Sequence, residues 1–157
     1  MPLLITSHKT PVGTLNLLAD DQILIGANLS TVSAFKAGPD AKVVKSIPVI
    51  SDLIKDYFDG DLTAINGIQV RQPGAAFSQA AWKAMRKIAP GKTWSYSDLA
   101  EKAGSPAAVR AAGSACANNA IMLVVPCHRV VKTGGALGNY AYGVEKKQWL
   151  LSHEGFL

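Results

Sequence analysis

Cysteine is scarce in this chain: Cys116 and Cys127 are the only two in 157 residues. Two thiols cannot form a disulfide scaffold, and a reducing, intracellular compartment is the simpler expectation. Long apolar runs are missing as well. The densest, Ile121 to Val125, falls far short of the ~18 residues a membrane span needs, so no membrane association is expected. The first residues, Met1 to His8, carry no basic segment and only a short apolar stretch, which does not read as a signal peptide. The histidines, His8, His128 and His153, lie far apart, so no tetrahedral zinc set is expected, nor any cofactor. With 48% hydrophobic and 17% charged residues, the composition excludes intrinsic disorder and fibrous repeats. The length suits one domain or two very small ones.

Acidic residues are short in one half only. Residues 1–74 hold six Lys/Arg and seven Asp/Glu, a net of −1, whereas residues 75–157 hold ten and four, a net of +6. The whole basic excess lies in the second half. Such asymmetry points to an anionic partner there, most simply nucleic acid.

The periodicity changes between the halves. Leu3–Thr6, Thr14–Ala19 and Ile23–Asn28 are short β-prone runs separated by turn chemistry, which predicts a small antiparallel meander. Residues 47–58 show helical spacing, with Asp59-Gly60 as the stop. Ile65–Val70 reads as another strand, and Gln72-Pro73-Gly74 as a linker. Beyond it, Phe77, Ala80, Ala81, Ala84, Met85 and Ile88 form one helical face. Ser95-Tyr96-Ser97-Asp98 is a capping-box pattern that starts a helix reaching Ala103. Ser105 and Pro106 predict the start of a further, alanine-rich helix running to about Asn118. The expected fold class is α+β: a β-rich N-terminal domain over 1–74, then a mostly helical domain over 75–157 with a helix-turn-helix whose second helix carries Arg110. An ordinary αα-hairpin is the plainer alternative.

Pro126-Cys127-His128-Arg129-Val130 is the segment most apt for chemistry. A buried cysteine by itself is most simply an inert small hydrophobe. Adjacent His128 and Arg129 favour a thiolate instead. A histidine next in sequence points away in an extended chain, so a relay through water or a turn is needed. A carboxylate that orients the histidine would complete the arrangement. The second half offers Asp98, Glu101, Glu145 and Glu154, and the residues alone do not choose among them.

Pro126-Cys127-His128-Arg129-Val130 resembles the active-site signature of the O6-alkylguanine-DNA alkyltransferases, also called methylated-DNA–protein-cysteine methyltransferases. The resemblance extends through Phe77 to Trp82, Ile88, Gly91-Lys92-Thr93, Ser95-Tyr96 with Leu99-Ala100, and Ala108 to Gly113. It continues in Asn119, eight residues before the cysteine, in Gly138-Asn139-Tyr140, Gly143, Lys147 to Leu151 and His153-Glu154-Gly155. It covers residues 75–157 closely and 1–74 only by size and β-rich texture.

The resemblance implies the following roles. Cys127 takes the alkyl group from guanine O6; His128 acts through water as base; Glu154 orients it. Tyr96 donates a hydrogen bond to the base, and Asn119 holds the turn between recognition helix and cysteine. Arg110 enters the base stack, while Ala111, Gly113, Ser95 and Lys92 lie against DNA. Tyr140, Tyr142, Gly143, Val130 and Arg129 shape the substrate pocket, with backbone amides near Val130 and Tyr142 reading the base edge. The partner implied is double-stranded DNA containing O6-alkylguanine, bound by a monomer, with cooperative binding left open. The protein is consumed by its reaction. Its place would be the nucleoid-bearing cytoplasm of a prokaryote or the nucleus of a eukaryote.

Departures from the family pattern stand beside these roles. Ala120 follows the hinge asparagine where proline is common. Ala141 stands where serine is common, and Tyr142 where glycine is common, which narrows the pocket against bulky groups. Three alternatives remain: a non-catalytic damage-binding relative, which Cys127 argues against; a Cys–His hydrolase using His8 or His153; and a plain transcriptional helix-turn-helix module.

Overall fold

A computed structural model describes residues 2–157. The chain forms two compact units, one of residues 1–72 with 120–124, the other of 73–119 with 125–157. The division after Gln72 falls two residues before the sequence-based boundary. The second unit is also not contiguous, because Ala120–Val124 belongs to the first.

The first unit is built on the meander. Strands β1 (Leu4–Thr10), β2 (Gly13–Asp20) and β3 (Ile23–Asn28) pair antiparallel. Two short edge strands, β4 (Lys42–Val43) and β5 (Gln69–Val70), add in parallel and give the order β4-β1-β2-β3-β5. β2, the central strand, is buried on both faces from Leu15 to Ala19. Helix α1 (Ile50–Phe58) buries Ile50, Ile54 and Tyr57. It starts three residues later than the spacing predicts, because Ile50 N donates to Pro48 O at 2.8 Å around Val49, which sits at φ 69°. The predicted strand over 65–70 shrinks to β5, since Ala64–Gly67 winds into a 3-10 turn. The borrowed segment is held by backbone: Ala27 N donates to Ala120 O and Met122 N to Ala27 O. Gln72 Oε1 accepts from Ala120 N at 2.8 Å.

The second unit carries helices α2 (Ala76–Met85), α3 (Tyr96–Lys102), α4 (Val109–Ala117) and α5 (Val144–His153). The capping box of α3 forms as its sequence demands: Ser95 Oγ accepts from Asp98 N, and Asp98 accepts from Ser95 N. Helix α4 starts at Val109 rather than Pro106. Ala108 N bonds back to Ser105 O and Ala108 lies at φ −90°, ψ 46°, so residues 105–108 form a separate turn. Trp82 of α2 donates its indole N–H to Ala115 O at 2.9 Å, satisfying one of the last carbonyls of α4. One feature escapes the sequence reading entirely. β6 (Trp94–Ser95) pairs in parallel with β7 (Val130–Val131), which sets the start of α3 beside the strand that follows Cys127.

Candidate active site

The cysteine turn is set by one carbonyl. Val125 O accepts from Cys127 N at 2.8 Å around Pro126 (φ −84°, ψ 67°), an inverse γ-turn. The same oxygen accepts from Asn119 Nδ2 at 2.8 Å. Asn119 therefore joins the end of α4 to the residue-125 turn, whereas Asn118 is the exposed C-cap of that helix. Cys127 opens a 3-10 turn over Cys127–Arg129 and is buried.

Behind it lies a closed ionic cluster. His128 Nε2 is 2.8 Å from Glu154 Oε2. Arg129 grips the same carboxylate with Nε on Oε1 at 2.8 Å and Nη2 on Oε2 at 2.9 Å, and its Nη1 donates to Ile88 O at 2.7 Å. All three side chains are at most 1% exposed. Burial alone would raise the Glu154 carboxyl, but its hydrogen bonds with His128 and Arg129 and the charge of Arg129 hold it well below the carboxylate range. Burial also lowers His128, outweighing the opposite pull of Glu154. The imidazole is thus neutral near pH 7. An ionised carboxylate only accepts, so Nε2 carries the proton and Nδ1 keeps its lone pair. Nδ1 is buried and has no hydrogen-bond partner among the described residues. Burial pushes the Cys127 thiol up, against the lowering effects of Asn119 and Lys147, so the resting group is a thiol that needs a base.

The other predicted residues are placed as follows. Tyr96 is half-buried at the start of α3, and burial together with Cys116 and Cys127 raises its phenol, which stays a donor. The backbone at Gly138, φ 76°, passes so close that a β-carbon there would sit 3.2 Å from the Tyr96 hydroxyl oxygen. Tyr140 and Tyr142 meet edge to face, with centroids 5.7 Å apart. Gly143 sits exposed at φ 100° just before α5. Arg110 is exposed on the first turn of α4, Ala111 and Gly113 are half-buried behind it, and Lys92 is exposed. Ser95 is half-buried, its oxygen used as the cap of α3.

Two pocket assignments meet a different geometry. The Arg129 guanidinium is spent on Glu154 and Ile88, which makes it a brace for the carboxylate. Val130 is fully buried; its N–H donates to Cys127 O, and its carbonyl accepts from Lys147 Nζ with a second lone pair left over. The sequence reading gave Lys147 no role, yet it is fully buried among these residues. The available signal was its register: 147, 150, 151 and 154 fall on one stripe of α5, where a lysine is out of place.

A buried thiol followed in the chain by a neutral, carboxylate-anchored histidine supplies the groups that a cysteine-nucleophile centre needs, carried on a helical unit. Residues 76–156 match the family described as 6-O-methylguanine DNA methyltransferase, DNA binding domain. A methylated-DNA–protein-cysteine methyltransferase of Shigella flexneri is 36% identical over 159 residues, covering 94% of this chain and 93% of that relative. The Escherichia coli bifunctional transcriptional activator/DNA repair enzyme Ada is 49% identical over 81 residues, 52% of this chain and 23% of that one. The crystal structure of Mycobacterium tuberculosis OGT in complex with DNA superposes with a TM-score of 0.86 at 31% identity, covering 96% of this chain and 92% of that one. The chain belongs to the methylated-DNA–protein-cysteine methyltransferase family.

Proposed function

We propose that this protein repairs O6-alkylguanine in duplex DNA by moving the alkyl group onto Cys127, once per molecule. The observation that carries the reading is the buried, unpartnered His128 Nδ1 on the residue that follows Cys127 in the chain, while Nε2 is anchored on Glu154. The names of the relatives and the DNA complex of a structural neighbour support it.

In this reading the Cys127 proton passes through a water to His128 Nδ1. The thiolate sulfur then forms a bond to the alkyl carbon as the O6–carbon bond breaks. The electron pair stays with guanine, which takes up a proton as it departs. Tyr96, kept protonated by its raised pKa, donates to the base as charge develops. The thioether formed does not hydrolyse, so the protein is spent.

The target carbon lies inside the duplex, so the nucleotide has to leave the stack at a cost of a few kcal/mol. Helices α3 and α4 act as the helix-turn-helix. Arg110 fills the vacated stack, and the small side chains of Ala111 and Gly113 let the α4 backbone approach the minor groove. Lys92 and Ser95 contribute to backbone contacts that carry no sequence information. Tyr140, Tyr142 and Gly143 shape the base pocket, and the protein works as a monomer on DNA.

Mixing the protein with a duplex holding one O6-methylguanine, followed by intact mass measurement, tests this. The expected product is one adduct of about 14 Da per protein, absent in Cys127→Ser because a serine hydroxyl is far less ionised. Repeated turnover, or an adduct persisting in Cys127→Ser, rejects it.

A further inference from the structure

Gln72 is the last residue of the first unit before the chain passes into the second, and it is only 7% exposed. Glutamine is seldom buried. Its place at the sheet edge accounts for the burial. β5 runs in parallel along β3, and Arg71 N still donates to Leu24 O at 3.1 Å. At Gln72 the chain leaves that edge, and Ala120–Met122 takes the next stretch of it. Ile121 bridges Ala27 in parallel, Ala27 N donates to Ala120 O at 2.9 Å, and Met122 N donates to Ala27 O at 3.2 Å. Gln72 thus stands where one segment departs and the other arrives, and its Oε1 accepts from Ala120 N at 2.8 Å.

The arriving segment is strained. Val124 N donates to Met122 O at 2.9 Å around Leu123, which is fully buried at φ 73°. A leucine in the left-handed region persists only where its surroundings hold it there. The Ala27 bonds and the Gln72 side chain hold this segment at its front end.

That grip reaches the nucleophile in three hydrogen bonds. The peptide group that Gln72 binds joins Asn119 to Ala120; Asn119 Nδ2 donates to Val125 O at 2.8 Å, and Cys127 N donates to the same oxygen at 2.8 Å.

We propose that Gln72 is a positioning residue for the alkyl transfer: its side-chain carbonyl fixes the Asn119–Ala120 peptide, so that Asn119 holds the Val125–Cys127 turn in its reactive geometry. The proposal rests on Cys127 being the alkyl acceptor. Asn119 also favours the ionised form of Cys127 against burial, so its orientation bears on the thiol as well as on the turn. A proline at 120 would present no N–H and would need no such acceptor. Ala120 has its N–H, and Gln72 is the side chain that receives it.

The test compares the native protein with Gln72→Leu, which keeps the bulk and removes the acceptor. Single-turnover methyl uptake from a saturating O6-methylguanine duplex should slow by about tenfold or more, while affinity for unmodified duplex holds within about twofold. The pH midpoint of iodoacetamide capping at Cys127 should rise by about half a unit or more, because the Asn119 amide is no longer aimed. Ala120→Pro supplies the control: its position 120 has no N–H to receive, so adding Gln72→Leu to it should leave the rate unchanged. An unchanged rate or an unmoved midpoint in Gln72→Leu overturns the proposal. So does a rate loss matched by an equal loss of DNA affinity, or one that persists on the Ala120→Pro background. Should Gln72→Leu not fold, Gln72→Glu gives the second reading. Its carboxylate still accepts from Ala120 N, so the rate should hold, and a large loss overturns the proposal. Absence of methyl uptake by the native protein overturns the repair reading instead, and a raised capping midpoint in Gln72→Leu would leave the grip of Gln72 on the cysteine turn standing.

Discussion

Arg129 holds Glu154 through two parallel N–H···O bonds of 2.8 and 2.9 Å, and the same carboxylate lies 2.8 Å from the His128 ring. Glu154 is the C-cap of α5, where a negative charge opposes the helix dipole. The paired guanidinium offsets that penalty. The arginine of the Pro-Cys-His-Arg segment thus braces the site from behind.

Glu154→Gln should destabilise the protein at pH 7 by about 3–5 kcal/mol, because Arg129 keeps a buried charge without its counter-ion. The pH dependence has a definite sign. The folded carboxyl lies below its unfolded value, so its contribution is complete above about pH 4.3 and is lost as the pH falls. The gap between native and variant protein should therefore narrow from pH 7 to pH 3.5. Urea melts at both values check this, and a constant gap would refute it.

Trp82→Phe keeps most of the ring volume but removes the N–H that reaches Ala115 O at 2.9 Å. A buried carbonyl loses its partner, at a cost of about 1–3 kcal/mol. The midpoint in urea should fall with an unchanged slope. A neutral result would show that α4 needs no indole cap.

Arg110 is exposed and early in α4, where it has little packing to lose. Arg110→Ala should slow repair in duplex DNA well beyond any effect on free O6-benzylguanine, which needs no flipping. Rate measurements on both substrates decide the matter, and equal losses would assign Arg110 a role in the fold alone.

Alkylated Cys127 must be housed in a turn that is already buried. Overpacking a filled site costs typically ~1–3 kcal/mol. For a domain of this size the methylated protein should melt lower by roughly 2–8 °C. It should also bind DNA more weakly, since α4 and the cysteine turn share the Asn119–Val125 hydrogen bond. Side-by-side thermal melts test this. An unchanged or higher midpoint would mean that the turn has room for the product.

The sequence alone determined the local elements. The meander, α1 and the Ser95–Asp98 capping box follow from periodicity and cap chemistry, which act over a few residues. The Pro-Cys-His-Arg segment was legible for the same reason. Periodicity and composition could not choose which of Asp98, Glu101, Glu145 and Glu154 meets His128, and only the family resemblance pointed to Glu154. The physical contact appears where α5 packs against the cysteine turn and brings residues 128 and 154 within 2.8 Å. Only the tertiary structure also decided that Ala120–Val124 joins the first unit, that β6 pairs with β7, and that Arg129 and Lys147 point inward. These are contacts between distant residues, governed by backbone hydrogen bonds and burial that leave no period in the sequence. A charged side chain reads as solvent-facing until the fold supplies the partners that make its burial stable.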